Sequence, residues 1–221
     1  MTLEPISFQT RWKISIDKDT FDKLKLEESF WQIVALARAV NSLRFVQTVL
    51  EPYHDDDSPA AVLVRYNSFF FTCALLYEAS KTVQYFGKHH RNLRAYKDMM
   101  AVINTHAAVN LRDSNLGEIR NKLVFHFGSD EIGIQLAKLN LDEPIFVIGK
   151  GDANKHVYME LADLCVSNAF AGFAASEKPE DTQRMKDLIK QVTDLALLFM
   201  ERADDFIVTV LYSSGWGFVK M

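Results

Sequence analysis

Two cysteines in 221 residues, Cys73 and Cys165, exclude a disulfide framework and a cysteine-rich zinc site. Both stand among apolar neighbours, which reads as two reduced, buried thiols in a cytosolic protein. Nine glycines and five prolines are few for this length. An all-β sandwich needs more turn punctuation, so the shortage points to helices. Long hydrophobic runs are also missing. The best apolar stretch, Ser68 to Tyr77, is short of a membrane span, and Asn67 and Glu78 flank it. The N-terminal Met1-Thr-Leu-Glu-Pro-Ile-Ser7 has no basic segment followed by an apolar run, so no secretory signal is expected. The chain lacks Gly-x-Ser-x-Gly, His-Glu-x-x-His and Gly-x-Gly-x-x-Gly, and Gly149-Lys-Gly-Asp152 lacks the spacing of a phosphate-binding loop. His54-Asp-Asp-Asp57 reads as a solvated loop rather than a cation site. The expectation is a soluble cytoplasmic chain with no cofactor and no metal.

Apolar residues make up 48% and charged residues 24%, ordinary globular values that exclude disorder as the dominant state. The spacing predicts an all-α fold. Residues 1–24 form an N-terminal arm, in which 11–17 alternates and reads as a short strand or an extended segment. A single helical domain covers 25–212, and 213–221 is a loose C-terminal tail. Helix is predicted from Leu26 to Leu50, ended by Pro52. A long helix starts at Ser58-Pro59, Ser as N-cap and Pro in the first turn, and runs to about Phe86. Further helices are expected over about 92–109, 115–126, 130–139, 158–173 and 179–210. A small late β-hairpin is expected over about 144–158.

Charge is uneven. Between Lys88 and Lys122 seven basic side chains face three acidic ones, so the rest of a chain of net charge −4 carries −8. Four of the six histidines, His89, His90, His106 and His126, lie in or just beyond this stretch. Lys88, Arg91, Arg94 and Lys122 are therefore candidate contacts for a polyanion such as RNA. The alternative is a solvated face whose first part compensates a helix C-terminus.

The most informative stretch is Arg120-Asn-Lys-Leu-Val-Phe-His126. An arginine, a polar residue directly after it and a histidine six positions on, in a helical context with apolar flanks, resemble the signature of the HEPN superfamily. The motif likeness covers 115–128, and a helical pattern like that of the family covers roughly 27–210. The commonest family spelling has one residue fewer between the two. At 100° per residue on an α-helix, Leu116, Ile119, Leu123 and Phe127 form an apolar ridge, and Arg120 and His126 border it from opposite sides, about 120° apart.

The resemblance implies an HEPN-like bundle and a homodimer packed through the motif helix, whose two arginines and two histidines converge on one cleft. It implies metal-independent RNA cleavage by the 2′-hydroxyl, in a toxin–antitoxin or phage-defence setting with a possible antitoxin or regulatory partner. His126 would be the general acid/base, Arg120 the phosphate binder and Asn121 an orienting group. HEPN-like bundles also carry a polar or acidic residue on an earlier helix facing the arginine. Glu78 fits that place, on a face of the long helix shared with Asn67, Phe71, Ala74 and Lys81. Two other readings stay open: a non-catalytic RNA- or nucleotide-binding module, and a structural dimer or antitoxin-type protein. In the latter Arg120 pairs with Glu78 or Glu118 and His126 is satisfied near the helix end.

Overall fold

The computed structural model describes residues 12–53, 55–56, 58–117, 119–124, 133–134, 136–137, 148–149, 157–158, 161, 165 and 179–220. Helix dominates these residues, as composition predicts. In chain order they form β1 (Trp12–Ser15), α1 (Lys18–Leu24), α2 (Glu28–Leu50), α3 (Pro59–Gln84), α4 (Gly87–His90), α5 (Arg94–Ile103) and α6 (His106–Asn110). Two π-helical stretches follow, Leu111–Leu116 and Ile119–Val124, then β2 (Ile148–Gly149), β3 (Val157–Tyr158), α7 (Pro179–Ser213) and β4 (Gly217–Lys220).

The frame is α2, α3 and α7, with α5 laid against α7. Each contributes an apolar stripe at helical spacing. On α7 Val192, Ala196, Phe199, Ala203, Phe206 and Val210 are buried at steps of four and three that keep one face inward, and Met200 is buried beside them. They meet Ile33, Leu36, Val40 and Leu43 of α2 and Phe70, Cys73, Leu76 and Val83 of α3 in one core. Phe206 of α7 ties together α4, α5 and the turn that follows α3. Its ring stacks on Phe86 at 6.2 Å and meets His90 edge-on at 5.2 Å and Tyr96 at 5.8 Å. Cys73 and Cys165 are free and buried, and burial pushes the Cys73 thiol far above its ordinary value.

The predicted helix starts hold where a side chain caps them. Ser58 Oγ accepts from the Ala61 N–H at 3.2 Å and opens α3. The expected helix over 92–109 is interrupted instead. Thr105 Oγ1 accepts from the Ala108 N–H at 3.2 Å and restarts the chain as α6, so α5 ends at Ile103. A threonine that caps is indistinguishable in periodicity from one inside a helix.

The described parts of the arm and of the tail expected to be loose meet each other. β1 pairs antiparallel with β4, Ser15 opposite Gly217 and Trp12 opposite Lys220. The connection is a Schellman turn. Trp216 N–H donates to the Leu211 carbonyl at 3.0 Å and Gly215 N–H to that of Tyr212 at 3.1 Å, with Gly215 at φ 87°. Trp216 then stacks on Phe30, which meets Phe21 of α1 edge-on. Sequence reading divided these segments from the bundle because their partners are about 200 residues apart. β2 pairs antiparallel with β3, Ile148 opposite Tyr158. Residues 144–147 and 150–156 of the expected hairpin lie outside the described residues, as do most of those in the helices expected over 130–139 and 158–173.

One expectation about hydrophobic runs is corrected. Glu28–Tyr53 holds a window long and apolar enough to cross a membrane by length and composition. Sparse polar residues spread through α2 hid that length from a search for unbroken apolar runs. In the structure one stripe of it packs on α3 and α7.

Two predictions follow from the packing. Gly215 has open space where a Cβ would stand, so Gly215→Ala costs only the left-handed backbone, about 1 kcal/mol by urea denaturation. His90 is buried against Phe206 with Nε2 unpartnered. Burial and then the neighbouring His89 push its imidazole below the ordinary value, while the Ser29 backbone pulls it up. The unfolded chain therefore takes up the proton first as pH falls. Stability contributed by neutral His90 is full above about pH 7 and declines as pH drops through the ordinary histidine range of about 6.5. Melting midpoints measured against pH should fall more steeply for the natural chain than for His90→Phe.

Candidate functional site

The site begins with a close approach between two helical segments. Tyr77 and Glu78 sit on α3, which packs on both π-helical stretches. Gly117 joins those stretches, and its N–H donates to the Arg112 carbonyl five residues back. A Cβ on Gly117 would stand 3.2 Å from Tyr77 Cε2 and 3.3 Å from the Arg112 oxygen. The tyrosine ring and the widened backbone thus leave a Cβ at this position tight contacts on two sides. Leu116 and Ile119 on either side are fully buried and anchor the segment to the core. The predicted apolar ridge starts with these two; the side chains of Leu123 and Phe127 lie outside the described residues.

Arg120 follows directly. Its Nε lies 2.6 Å from Glu78 Oε1. The Nε–H is not directed at that oxygen, and Nε is buried without a hydrogen-bond partner, so this is an ion pair by proximity. Nη1 donates to Asn121 Oδ1 at 2.9 Å. Arg120 is about one third exposed and Glu78 about half, so water reaches both groups. A pair this open contributes at most about 1 kcal/mol and is readily exchanged for another anion.

Of the residues expected at the site, Arg120, Asn121 and Glu78 therefore meet in space. Asn67 lies on the exposed face of α3, three turns before Glu78. His126 and Glu118 lie outside the described residues, as does the side chain of Lys122. The motif does not stand on the α-helix assumed from periodicity. Residues 111–116 and 119–124 make i→i+5 bonds, so the turn is wider than 100° per residue implies. The 120° separation between positions 120 and 126, drawn for an α-helix, does not carry over. Such widened turns occur often at functional sites.

The basic stretch does not form one uncompensated surface. Lys88 Nζ pairs with Glu28 at 2.9 Å, Arg94 Nε with Asp98 at 3.7 Å and Arg112 Nε with Asp113 at 2.9 Å. Lys88 and the neighbouring His89 both meet Glu28 at the start of α2, and this holds the Glu28 carboxyl below its usual range. Arg91 is exposed on the turn between α4 and α5. His106 Nδ1 meets Asn110 Nδ2 at 3.3 Å. Among the described residues no group of three or more His, Cys, Asp or Glu is placed to hold a metal ion.

Sequence reading missed two positions. Gly117 carried a signal, since a glycine inside a helical run marks a close backbone approach. Arg112 carried none. Its side chain is 15% exposed, and Nη1 is buried without a hydrogen-bond partner, which only the fold reveals.

The glycine contact is testable. Alanine gains about 1 kcal/mol over glycine in a helix, and overpacking costs about 1–3 kcal/mol. Gly117→Ala should therefore be neutral to destabilising by about 2 kcal/mol in urea denaturation. Gly133→Ala, on a helical turn with open space, should stabilise by a fraction of that gain. Equal effects at the two sites would remove the packing argument. No family model matches the chain, and neither a curated protein nor a solved structure matches it.

Proposed function

We propose that this chain is an HEPN-like helical bundle acting as a metal-independent endoribonuclease, a homodimer whose motif segments line a shared cleft. The observation that carries the reading is the half-open Arg120, held beside Glu78 and Asn121 on a widened helical turn. An arginine kept in place by an exchangeable carboxylate is prepared to accept a phosphate diester in its stead. His126, six residues on, supplies the proton chemistry.

In the reaction the RNA 2′-hydroxyl gives its proton to an imidazole and its oxygen bonds to the adjacent phosphorus. The bond from phosphorus to the 5′-oxygen breaks, and that oxygen takes a proton from the acid form of an imidazole. The products are a 2′,3′-cyclic phosphate and a 5′-hydroxyl. Arg120 offsets the charge that builds on the non-bridging oxygens, and Asn121 holds its guanidinium plane. DNA has no 2′-hydroxyl and is not cut. A cytoplasmic toxin–antitoxin or phage-defence role, with a protein that restrains the activity, belongs to the same proposal.

A second reading has one observation in its favour. Arg120 is already paired with Glu78, as in a non-catalytic protein, a structural dimer or a binding module, that uses the pair to fasten α3 to the motif segment. The two separate in one experiment. Purified protein is incubated with single-stranded RNA in EDTA from about pH 5 to about pH 9. The nuclease reading expects cyclic phosphate ends, their loss in His126→Ala and Arg120→Ala, and intact DNA. Salt-dependent RNA binding without cleavage across that range favours the binding module and removes the enzyme. Light scattering should give twice the chain mass; a monomer at micromolar concentration removes the shared cleft.

A further inference from the structure

α2 is apolar on two sides. Its core side carries the buried Leu36, Val40 and Leu43. At 100° per residue Glu27, Trp31, Val34 and Arg38, at steps of four, three and four, line the opposite side. All four are exposed, Trp31 by 56% and Val34 by 53%, and Leu26 directly before them by 72%. This second apolar side helps give α2 the composition of a membrane span. A helix that is apolar on both sides is ordinarily covered on both, so the outer side calls for a partner. The Trp31 indole N–H donates to the Lys25 carbonyl at 2.6 Å, which fixes the ring before any partner arrives.

Two opposite charges bracket the patch, Glu27 before Trp31 and Arg38 after Val34. They stand about 16 Å apart along the helix axis, too far to pair within one chain. Neither forms an ion pair among the described residues, and Glu27 Oε2 accepts from the Ser29 hydroxyl at 3.4 Å. We infer that this side of α2 binds the same side of a second copy, antiparallel, about a twofold axis between residues 32 and 33. Trp31 then lies against Val34 of the partner subunit and Glu27 against Arg38 of the partner subunit, each contact made twice. The pairings of 27 with 38 and of 31 with 34 share one midpoint, so a single register satisfies both. A bilayer surface offers no such matched set of charges. A contact on one helix face is small beside the roughly 800 Å² per partner of a standard interface, so the pairing is weak and depends on concentration. The motif segments pack on α3, so this contact differs from the dimer of the nuclease reading and stands without it.

The test is sedimentation equilibrium of the full chain from about 10 μM to about 1 mM, the span of weak association. The mass of the natural chain should rise toward twice its low-concentration value, whether that value is one chain or the two of a motif-lined dimer. Glu27→Lys and Arg38→Glu each set like charges opposite one another and should weaken the association about tenfold or more. An equal mixture of these two variants should recover it, because in a mixed pair both contacts again join opposite charges. Val34→Asp should abolish it. The three positions are exposed, so urea midpoints should stay near that of the natural chain. Should Glu27→Lys not fold, Arg38→Glu and Val34→Asp decide alone. RNA cleavage in EDTA should be the same in every variant, so the pairing and the nuclease reading fail separately. A mass that does not rise, an equal rise in Val34→Asp or Arg38→Glu, or no recovery in the folded mixture would each overturn the pairing. So would a chain that sediments with phosphatidylcholine vesicles through this face instead of with its own copies.

Discussion

The approach of α3 to Gly117 is the constraint on which the arginine site depends. Tyr77 and Glu78 are adjacent on one helix, so the contact that seats the tyrosine ring over a residue without a side chain also carries the carboxylate to Arg120, three residues further on. The widened backbone does the rest. Leu116 and Ile119 must both enter the core, and the bond from Gly117 to Arg112 lets the chain keep its hydrogen bonding while turning more slowly. The site is thus a by-product of packing geometry.

How much of this was legible in the sequence differs by element. The long helices were, because α2, α3 and α7 each carry a 3.6-residue apolar stripe and α3 also carries a Ser-Pro start. The break at Thr105 was not, since a cap is a local hydrogen bond that periodicity does not register. The pairing of β1 with β4 was not, because four-residue strands hold little pattern and their register is decided by a partner at the far end of the chain. At the candidate site the helix face showed Glu78 as a polar residue among apolar ones, and its neighbourhood with Arg120 was expected only from the family resemblance. The π-helical turn was not, since backbone hydrogen-bond register follows from how two buried residues are accommodated rather than from either residue's identity.

The electrostatics of the middle segment carry a related lesson. A run with a surplus of four positive charges looks like a patch when counted along the chain. In space Lys88, Arg94, Arg112 and Arg120 each stand beside a carboxylate. Glu28 and Glu78 come from other helices, so the compensation arises from tertiary packing, whereas Asp98 and Asp113 are close in sequence. Linear charge density overstates the field that a distant phosphate would feel. What it identifies correctly is where cations are held, each by a partner that is cheap to replace.

That replaceability decides how the arginine site must work if an anion binds there. Lifting Glu78 from Arg120 costs at most about 1 kcal/mol, because both groups are already partly in water. That is less than the tenfold affinity change that 1.4 kcal/mol represents. The freed carboxylate is then fully hydrated, while the phosphate gains a planar cation already braced by Asn121. Arg112 Nη1 is buried with no hydrogen-bond partner, so an acceptor reaching it would relieve a desolvation cost the fold now bears. The two arginines, eight residues apart on the two widened stretches, therefore share one pattern: each stands beside a carboxylate, and each keeps one buried nitrogen without a hydrogen-bond partner.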